Sequence, residues 1–343
     1  MLKIVVNNEE HIKKFERITW KGGINGTSRT LEVRYLDDDT IAKLGDKVEF
    51  YVDEDKLFTG KVFSVEVAGQ SQIKTFSCFD NSIYLNKNYF VKNFNKKKPS
   101  QILKEICGEL KLEVGNLPKD IVDCTYPAVN RSGYQIILNA YTIQHRKDKK
   151  IYSIVSNDGK IEVIEQGAMA DVLLHSEQDI KSSKYGEDIE KMVNQIVIYK
   201  TEKEKSQIVD KVENKEDKEK YGLFQKVMQY DKDRDNINNA KEMLKSVEKT
   251  GNITCLGNVL IQSGYSIGIH EPHTNLVGSF LVKNDTHIWE NDVYYCDVEL
   301  AFENVMDKTE FEDKPKSKKS KKSKNKKSKK TKKEKAGKKA GGK

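Results

Sequence analysis

The sequence predicts a β-rich α+β chain in which a mixed α/β module sits between two β-rich segments. Three observations carry this. Apolar and charged residues alternate with period two over roughly the first ninety residues and again after about residue 181. Between those stretches, apolar residues recur at helical spacing. After about residue 312 apolar positions vanish, and a tail that cannot bury a core is expected to be disordered.

The N-terminal run Met1-Leu2-Lys3-Ile4-Val5-Val6 reads as a first strand. It turns polar at Asn7-Asn8-Glu9-Glu10, too soon for the core of a signal peptide. Leu31, Val33 and Tyr35 alternate with Glu32 and Arg34, and Val48, Phe50 and Val52 alternate with Lys47 and Glu49. A turn at Asp53-Glu54-Asp55 follows, then a strand with Phe63, Val65 and Val67 on one face. Such spacing argues an antiparallel sandwich or barrel.

The texture changes at Lys96-Lys97-Lys98-Pro99-Ser100. Ser100 is the expected N-cap of a helix whose stripe is Ile102, Leu103, Ile106 and Leu110. A second helix after Ser132 buries Ile136, Ile137, Ala140 and Tyr141, and a hairpin, 151–155 with 160–164, turns at Asn157-Asp158-Gly159. Strands resume with Met192–Tyr199, and Glu202–Lys220 is charged enough to be a solvated excursion. A helix over 236–249 shows Ile237, Ala240, Leu244 and Val247 on one face, with Gly251 as C-cap. Tyr265, Ile267 and Ile269, then Tyr294, Cys296, Val298, Leu300 and Phe302, complete the second β-rich segment.

Composition separates two parts of the chain. The net charge is +8, but residues 314–343 hold 17 lysines and one acid, Glu334, so they carry +16 and leave −8 on residues 1–313. Lysine runs without aromatics contact phosphate backbones, acidic protein surfaces or anionic lipid without stacking on bases. No apolar run approaches the ~20 residues that span a bilayer. Five cysteines without a C-x-x-C pair fit buried thiols in a reducing compartment, and synthesis in the cytosol is expected.

Two constellations invite a metal reading. Asp231, Asp233, Asp235, Asn239 and Glu242 fall at the oxygen-ligand positions of a calcium loop. Asn236 occupies the position where the sharp turn wants glycine, and the incoming 224–230 segment reads as strand, so a polar turn feeding the next helix is the plainer account. His270-Glu271-Pro272-His273, with His287 as a third ligand, has the wrong spacing for a zinc helix, which Pro272 prevents. Asp37-Asp38-Asp39 reads as a solvated turn. No phosphate-cradling G-x-x-x-x-G-K-[ST] loop occurs. The expectation is no catalytic residue, no cofactor-binding residue and no metal ligand.

The chain resembles a known family. In the first segment the resemblance lies in Ile18-Thr19-Trp20-Lys21-Gly22, Arg29-Thr30-Leu31-Glu32-Val33, Leu44-Gly45-Asp46, Leu57-Phe58-Thr59-Gly60, Cys78-Phe79-Asp80 and Tyr84-Leu85-Asn86-Lys87-Asn88. In the last it lies in Tyr221-Gly222-Leu223-Phe224-Gln225, Gly278-Ser279-Phe280-Leu281-Val282 and Asp285-Thr286-His287-Ile288-Trp289. In this order and spacing they are similar to the XkdQ/YqbQ-type baseplate hub proteins of contractile phage tails and phage-tail-like bacteriocins (tailocins).

The resemblance implies two tube-like antiparallel β-barrel domains, at 1–93 and 181–311, flanking a mixed α/β module at 94–180; composition adds a disordered Lys-rich tail at 312–343. It implies a structural, non-enzymatic homotrimer assembled in the bacterial host cytoplasm. Its partners would be the six-fold tail tube protein, the three-fold central spike protein and other baseplate proteins. His287 and Trp289 then take a plain role near a strand turn. The excursion at 202–220 and the lysine tail are not part of the pattern; the tail's candidate partners are an acidic particle component or DNA. The alternative is a nucleic-acid-associated protein that binds through the tail.

Overall fold

Side chains alternate across a strand, so a period-two sequence buries every second residue when it joins a sheet. The computed structural model of the chain describes residues 1–11, 15–25, 28–36, 41–67, 69, 73–202, 205–232 and 234–302. The Asp37-Asp38-Asp39 turn, Asp233 and the lysine tail lie outside the described residues. Residues 1–311 form one compact unit.

The first β body comprises β1 (Leu2–Val6), β2 (Glu9–His11), β3 (Phe15–Gly23), β4 (Thr30–Leu36), β5 (Lys47–Val52), β6 (Asp55–Val67) and β7 (Ile73–Asp80). Its order is β3-β4-β7-β6-β5-β1-β2. Leu31, Val33, Tyr35, Val48 and Phe50 point into its core as their alternation predicts. On β6 one expectation fails. The ladder to β7 shifts between Val62 and Ser64, so Phe63 is the extra residue of a bulge and is exposed. Beyond the bulge Val65 packs on the core opposite Phe76, while Val67 lies exposed at the strand end.

The middle module contains α1 (Ile83–Lys87), β8 (Tyr89–Lys97), α2 (Pro99–Glu109), β9 (Cys124–Ser132), α3 (Gly133–Asp148), β10 (Tyr152–Asn157) and β11 (Lys160–Glu165). Ile102, Leu103 and Ile106 of α2 meet Ile136, Ile137, Ala140 and Tyr141 of α3 over the β8–β9 pair. Ser132 caps α3 as expected, accepting from the Gln135 N–H at 3.2 Å, with Gln135 reaching back. Ser100 is not the cap of α2. Pro99 takes the first helical position and Lys98 the cap, which leaves the Ser100 hydroxyl to donate to Asp120 at 2.5 Å. The β10–β11 hairpin forms at Asp158-Gly159, both with positive φ. Its turn docks on the first β body, with Asn81 Nδ2 donating to the Gly159 carbonyl at 2.8 Å and Lys56 pairing with Asp158 at 2.5 Å.

Continuing the chain are β12 (Ala168–His175), β13 (Ile180–Asp188), β14 (Gln195–Glu202), β15 (Lys205–Glu213), α4 (Lys215–Tyr221), β16 (Gln225–Gln229), α5 (Asn236–Met243), β17 (Glu248–Leu256), β18 (Tyr265–Glu271), β19 (Leu276–Glu290) and β20 (Val293–Ala301). The second β body runs β13-β17-β20-β19-β18-β12, with β12 parallel to β18. Between β13 and β17 the chain leaves to build a small arm, β15-β14-β16 with α4 and α5. The charged excursion is thus a regular strand and helix whose side chains face solvent. The last helix is shorter than its stripe suggests. α5 ends at Met243, because Lys245 pairs with Val193 and Glu248 starts a strand. Gly251 is no C-cap; it lies in β17, where a Cβ would press on the Phe302 ring at 2.9 Å.

The two β bodies share one sheet. β3 of the first pairs antiparallel with β19 of the second, and the pairings among the described residues close neither body into a ring. No helix among the described residues is long and apolar enough to cross a membrane.

Candidate functional site, the buried joint between the β bodies

The β3–β19 ladder pairs Ile18 with Trp289, Thr19 with Ile288, Trp20 with His287, Lys21 with Thr286 and Gly22 with Asp285. Odd-numbered residues of β19 therefore share one face with even-numbered residues of β3. That face is closed: Asp285, His287, Ile18 and Trp20 are at most 1 % exposed. The opposite face is covered as well at Thr19 and Ile288.

Trp289 explains why the joint is packed. It belongs to the second body by sequence, yet it sits in the core of the first, edge-on to Phe50 with ring centroids 5.1 Å apart. Its other side stacks on Tyr294 at 4.3 Å, and Tyr294 in turn contacts both cores. Burying a side chain of this size dominates the local energetics.

Arg29 spans the joint from the other direction. Its backbone N–H donates to Asp80 at 2.9 Å, and the Asp80 N–H donates back to the Arg29 carbonyl at 3.1 Å. Its guanidinium lies 3.9 Å from the Trp20 ring centroid and makes a two-pronged contact with Asp285. Gly22 makes room for this: a Cβ there would collide with Arg29 Nη1. Asp285 also accepts from the Ser263 N–H at 2.7 Å and from His287 Nε2 at 3.2 Å. The same Nε2 lies 2.9 Å from the Ile261 carbonyl, and Nδ1 lies 2.8 Å from the Tyr294 hydroxyl and 3.2 Å from Cys296 Sγ.

Charges balance across this buried chain. Burial alone would raise the Asp285 pKa, but the Arg29 guanidinium and His287 overcome it and hold the carboxyl well below the usual range. For His287, burial disfavours the cation, yet Asp285 and Cys296 outweigh it and push the pKa up to about 9. Asp80 is raised to about 6, chiefly by burial. Cys296 is lowered by a hydrogen bond from Cys255 and by His287, against its burial. A buried ion pair adds little net stability, but removing one partner is costly, so such a network fixes geometry.

Chemically, Cys296, His287 and Asp285 stand in the order that activates a thiol nucleophile. Sequence reasoning saw no cysteine in a reactive setting, because residues 255, 287 and 296 meet only through the sheet. Cys296, His287 and Asp285 are all buried, however, so a substrate larger than about a water molecule has no route to them. His287 and Trp289 do lie near a strand turn, in the last residues of β19 before Asn291-Asp292, but both are buried.

The metal constellations come apart. Asp235 caps α5 by accepting from the Asn238 N–H at 3.1 Å. Asn236 closes the loop by donating to the Asp231 and Arg234 carbonyls at 2.7 and 3.0 Å, and Glu242 faces solvent. His270 is exposed with its ring 5.8 Å from His175, and the His273 N–H donates to Glu271 at 2.9 Å in a 3₁₀ turn. His270 pairs with Val277, ten residues along β19 from His287 and so roughly 30 Å away. Among the described residues no group of His, Cys, Asp or Glu is arranged to hold a metal ion.

A YQBQ-like family model matches residues 18–301, a range that reaches into both β bodies and spans the middle module. The chain belongs to the YqbQ-like family. It is 23% identical over 274 residues to the uncharacterized protein YqbQ of Bacillus subtilis, covering 76% of this chain and 82% of that protein. Its fold is similar to the 43 kDa tail protein of prophage MuSo2 from Shewanella oneidensis, with TM-score 0.70 at 10% identity over 88% of this chain and 97% of the other. It is also similar to an Escherichia coli type VI secretion component, itself described as resembling the T4 tail proteins gp27 and gp5. There the TM-score is 0.54 at 9% identity, over 90% and 79% of the two chains.

Proposed function

We propose that this YqbQ-like chain is a structural protein of a phage tail or tailocin baseplate, acting as a hub between the six-fold tail tube and the three-fold central spike. The observation that carries this reading is the β3–β19 joint. It locks two β bodies of one chain into a single sheet, so three chains would offer six β bodies in fixed relation. The MuSo2 tail protein and the type VI secretion component share this fold over most of their lengths, which supports a place in such a particle. The role is one of assembly rather than catalysis, with residues 1–93, 94–180 and 181–311 as its three parts and tube, spike and baseplate proteins as partners.

An obligate ring buries large, apolar subunit interfaces. Solution mass measurement with electron microscopy tests this: three-fold rings are expected. A stable monomer at micromolar concentration that binds neither tube nor spike protein overturns the reading. The +16 tail supports a separate contact with an acidic particle component or DNA. Truncation after Asp313 is expected to abolish salt-sensitive binding to either while leaving ring formation intact.

A further inference from the structure

We propose that Cys255 and Cys296 are a redox pair that closes to a cross-strand disulfide in the folded protein under hydroperoxide, with His287 accepting the proton of Cys296. The two residues face each other on β17 and β20. Two positions along, the Gly257 N–H donates to the Tyr294 carbonyl at 2.9 Å, which places Cys255 and Cys296 at a hydrogen-bonded pair of the ladder. Such pairs have Cα atoms about 5.5 Å apart, within the roughly 4.4–6.8 Å that a disulfide spans. His287 Nδ1 lies 3.2 Å from Cys296 Sγ.

The other cysteines lack this setting. Cys78, Cys107 and Cys124 are buried with their pKa raised chiefly by desolvation, the state of inert structural thiols. At Cys296 a nucleophile, a proton acceptor and a resolving thiol meet. The Cys296 thiolate attacks one peroxide oxygen, the O–O bond breaks, and water leaves once the second oxygen is protonated. Cys255 then attacks the sulfenic sulfur, the S–S bond forms, and a second water leaves. Two thiols are oxidised and one peroxide is reduced. Both residues are buried, so the oxidant must be about the size of water and enter as the sheet edge opens.

The biological sense of the pair rests on the proposed tail role: such a protein folds in a reducing cytosol and works in an oxidising medium after release. The chemistry does not rest on it. The test uses the reduced full-length chain in native buffer, treated with hydrogen peroxide, alkylated and digested with trypsin without reduction. The expected product joins Thr250–Lys283 to Asn284–Lys308 with the loss of two hydrogens, is reversed by reductant, and leaves three of the five thiols alkylated. His287→Gln is expected to slow its formation at pH 7 by about tenfold or more, since less thiolate is present. The proposal is overturned if the native chain gives no such product under conditions that oxidise the urea-unfolded chain, or if it gives mixed pairings. Either result leaves ring formation, and hence the tail role, untouched.

Discussion

The joint and the arm are both built from strand pairing, yet they are held in opposite ways. At the joint, seven residue pairs from Arg17–Glu290 to Gly23–Asn284 carry side chains that are mostly sealed from water. In the arm, the buried apolar cluster among the described residues is just Val193, Ile196, Ile198 and Ala240, with Val197 buried beside it, and along β15 only Val212 is not fully exposed. Ile208, Val209 and Val227 face solvent there. The lesson is that ladder hydrogen bonds are similar in both places, while burial of large side chains decides which one behaves as part of the whole molecule.

The sharpest way to break this contrast is at Trp289. Trp289→Ala is expected to cost about 3–5 kcal/mol in denaturant unfolding, with amide exchange rising in both β bodies. Exchange rising in the second body alone would show that the joint is not shared. Arg29→Met leaves the Asp285 charge buried and unpaired, at about 3–5 kcal/mol. The double change Arg29→Met with Asp285→Leu should recover much of that. Equal losses from single and double variants would dissolve the network.

In the arm, Ile198→Ala is expected to cost about 2–4 kcal/mol, but locally: exchange should quicken over residues 189–247 and stay unchanged in β3 and β19. The pH response sharpens the contrast further. The folded pKa of His287 is raised to about 9, so its contribution is complete below about 6.5, the unfolded value. It is lost as pH rises through 9. Unfolding free energy should therefore fall between pH 7 and 10, and His287→Gln should flatten that slope. The depressed Asp285 pKa acts at the other end, with stability lost only as strongly acid pH protonates it. Smallest of all, Ile208→Lys on β15 should change stability by no more than about 0.5 kcal/mol. A larger loss from the isolated protein would mean that this strand is covered.

Much of the local structure was legible. Leu31, Val33 and Tyr35, the Ser132 cap and the Asp158-Gly159 turn all follow from residues within a few positions of one another. The misreadings differ in cause. Ser100 looked like a cap, but the adjacent Pro99 takes the first helical position, a signal already present in the sequence. Phe63 looked inward until a bulge displaced it, and Gly251 looked like a helix stop until Phe302 packed over it. Those two were decided by a register shift and by a neighbour distant in sequence, which periodicity does not record.

The candidate site was half visible. Trp20, Arg29, His287 and Trp289 all stood in the strings that carry the family resemblance, but nothing in those strings said that they touch. By itself the sequence determined the alternation of strands and helices, the acidic body with its basic tail, and the family. Only the tertiary structure decided that Arg29 meets Asp285 across 256 residues, that Trp289 fills the other body's core, and that Cys255 faces Cys296. Local preferences act through the nearest few residues, whereas these contacts exist only once two distant strands have found a common register and expelled the water between them.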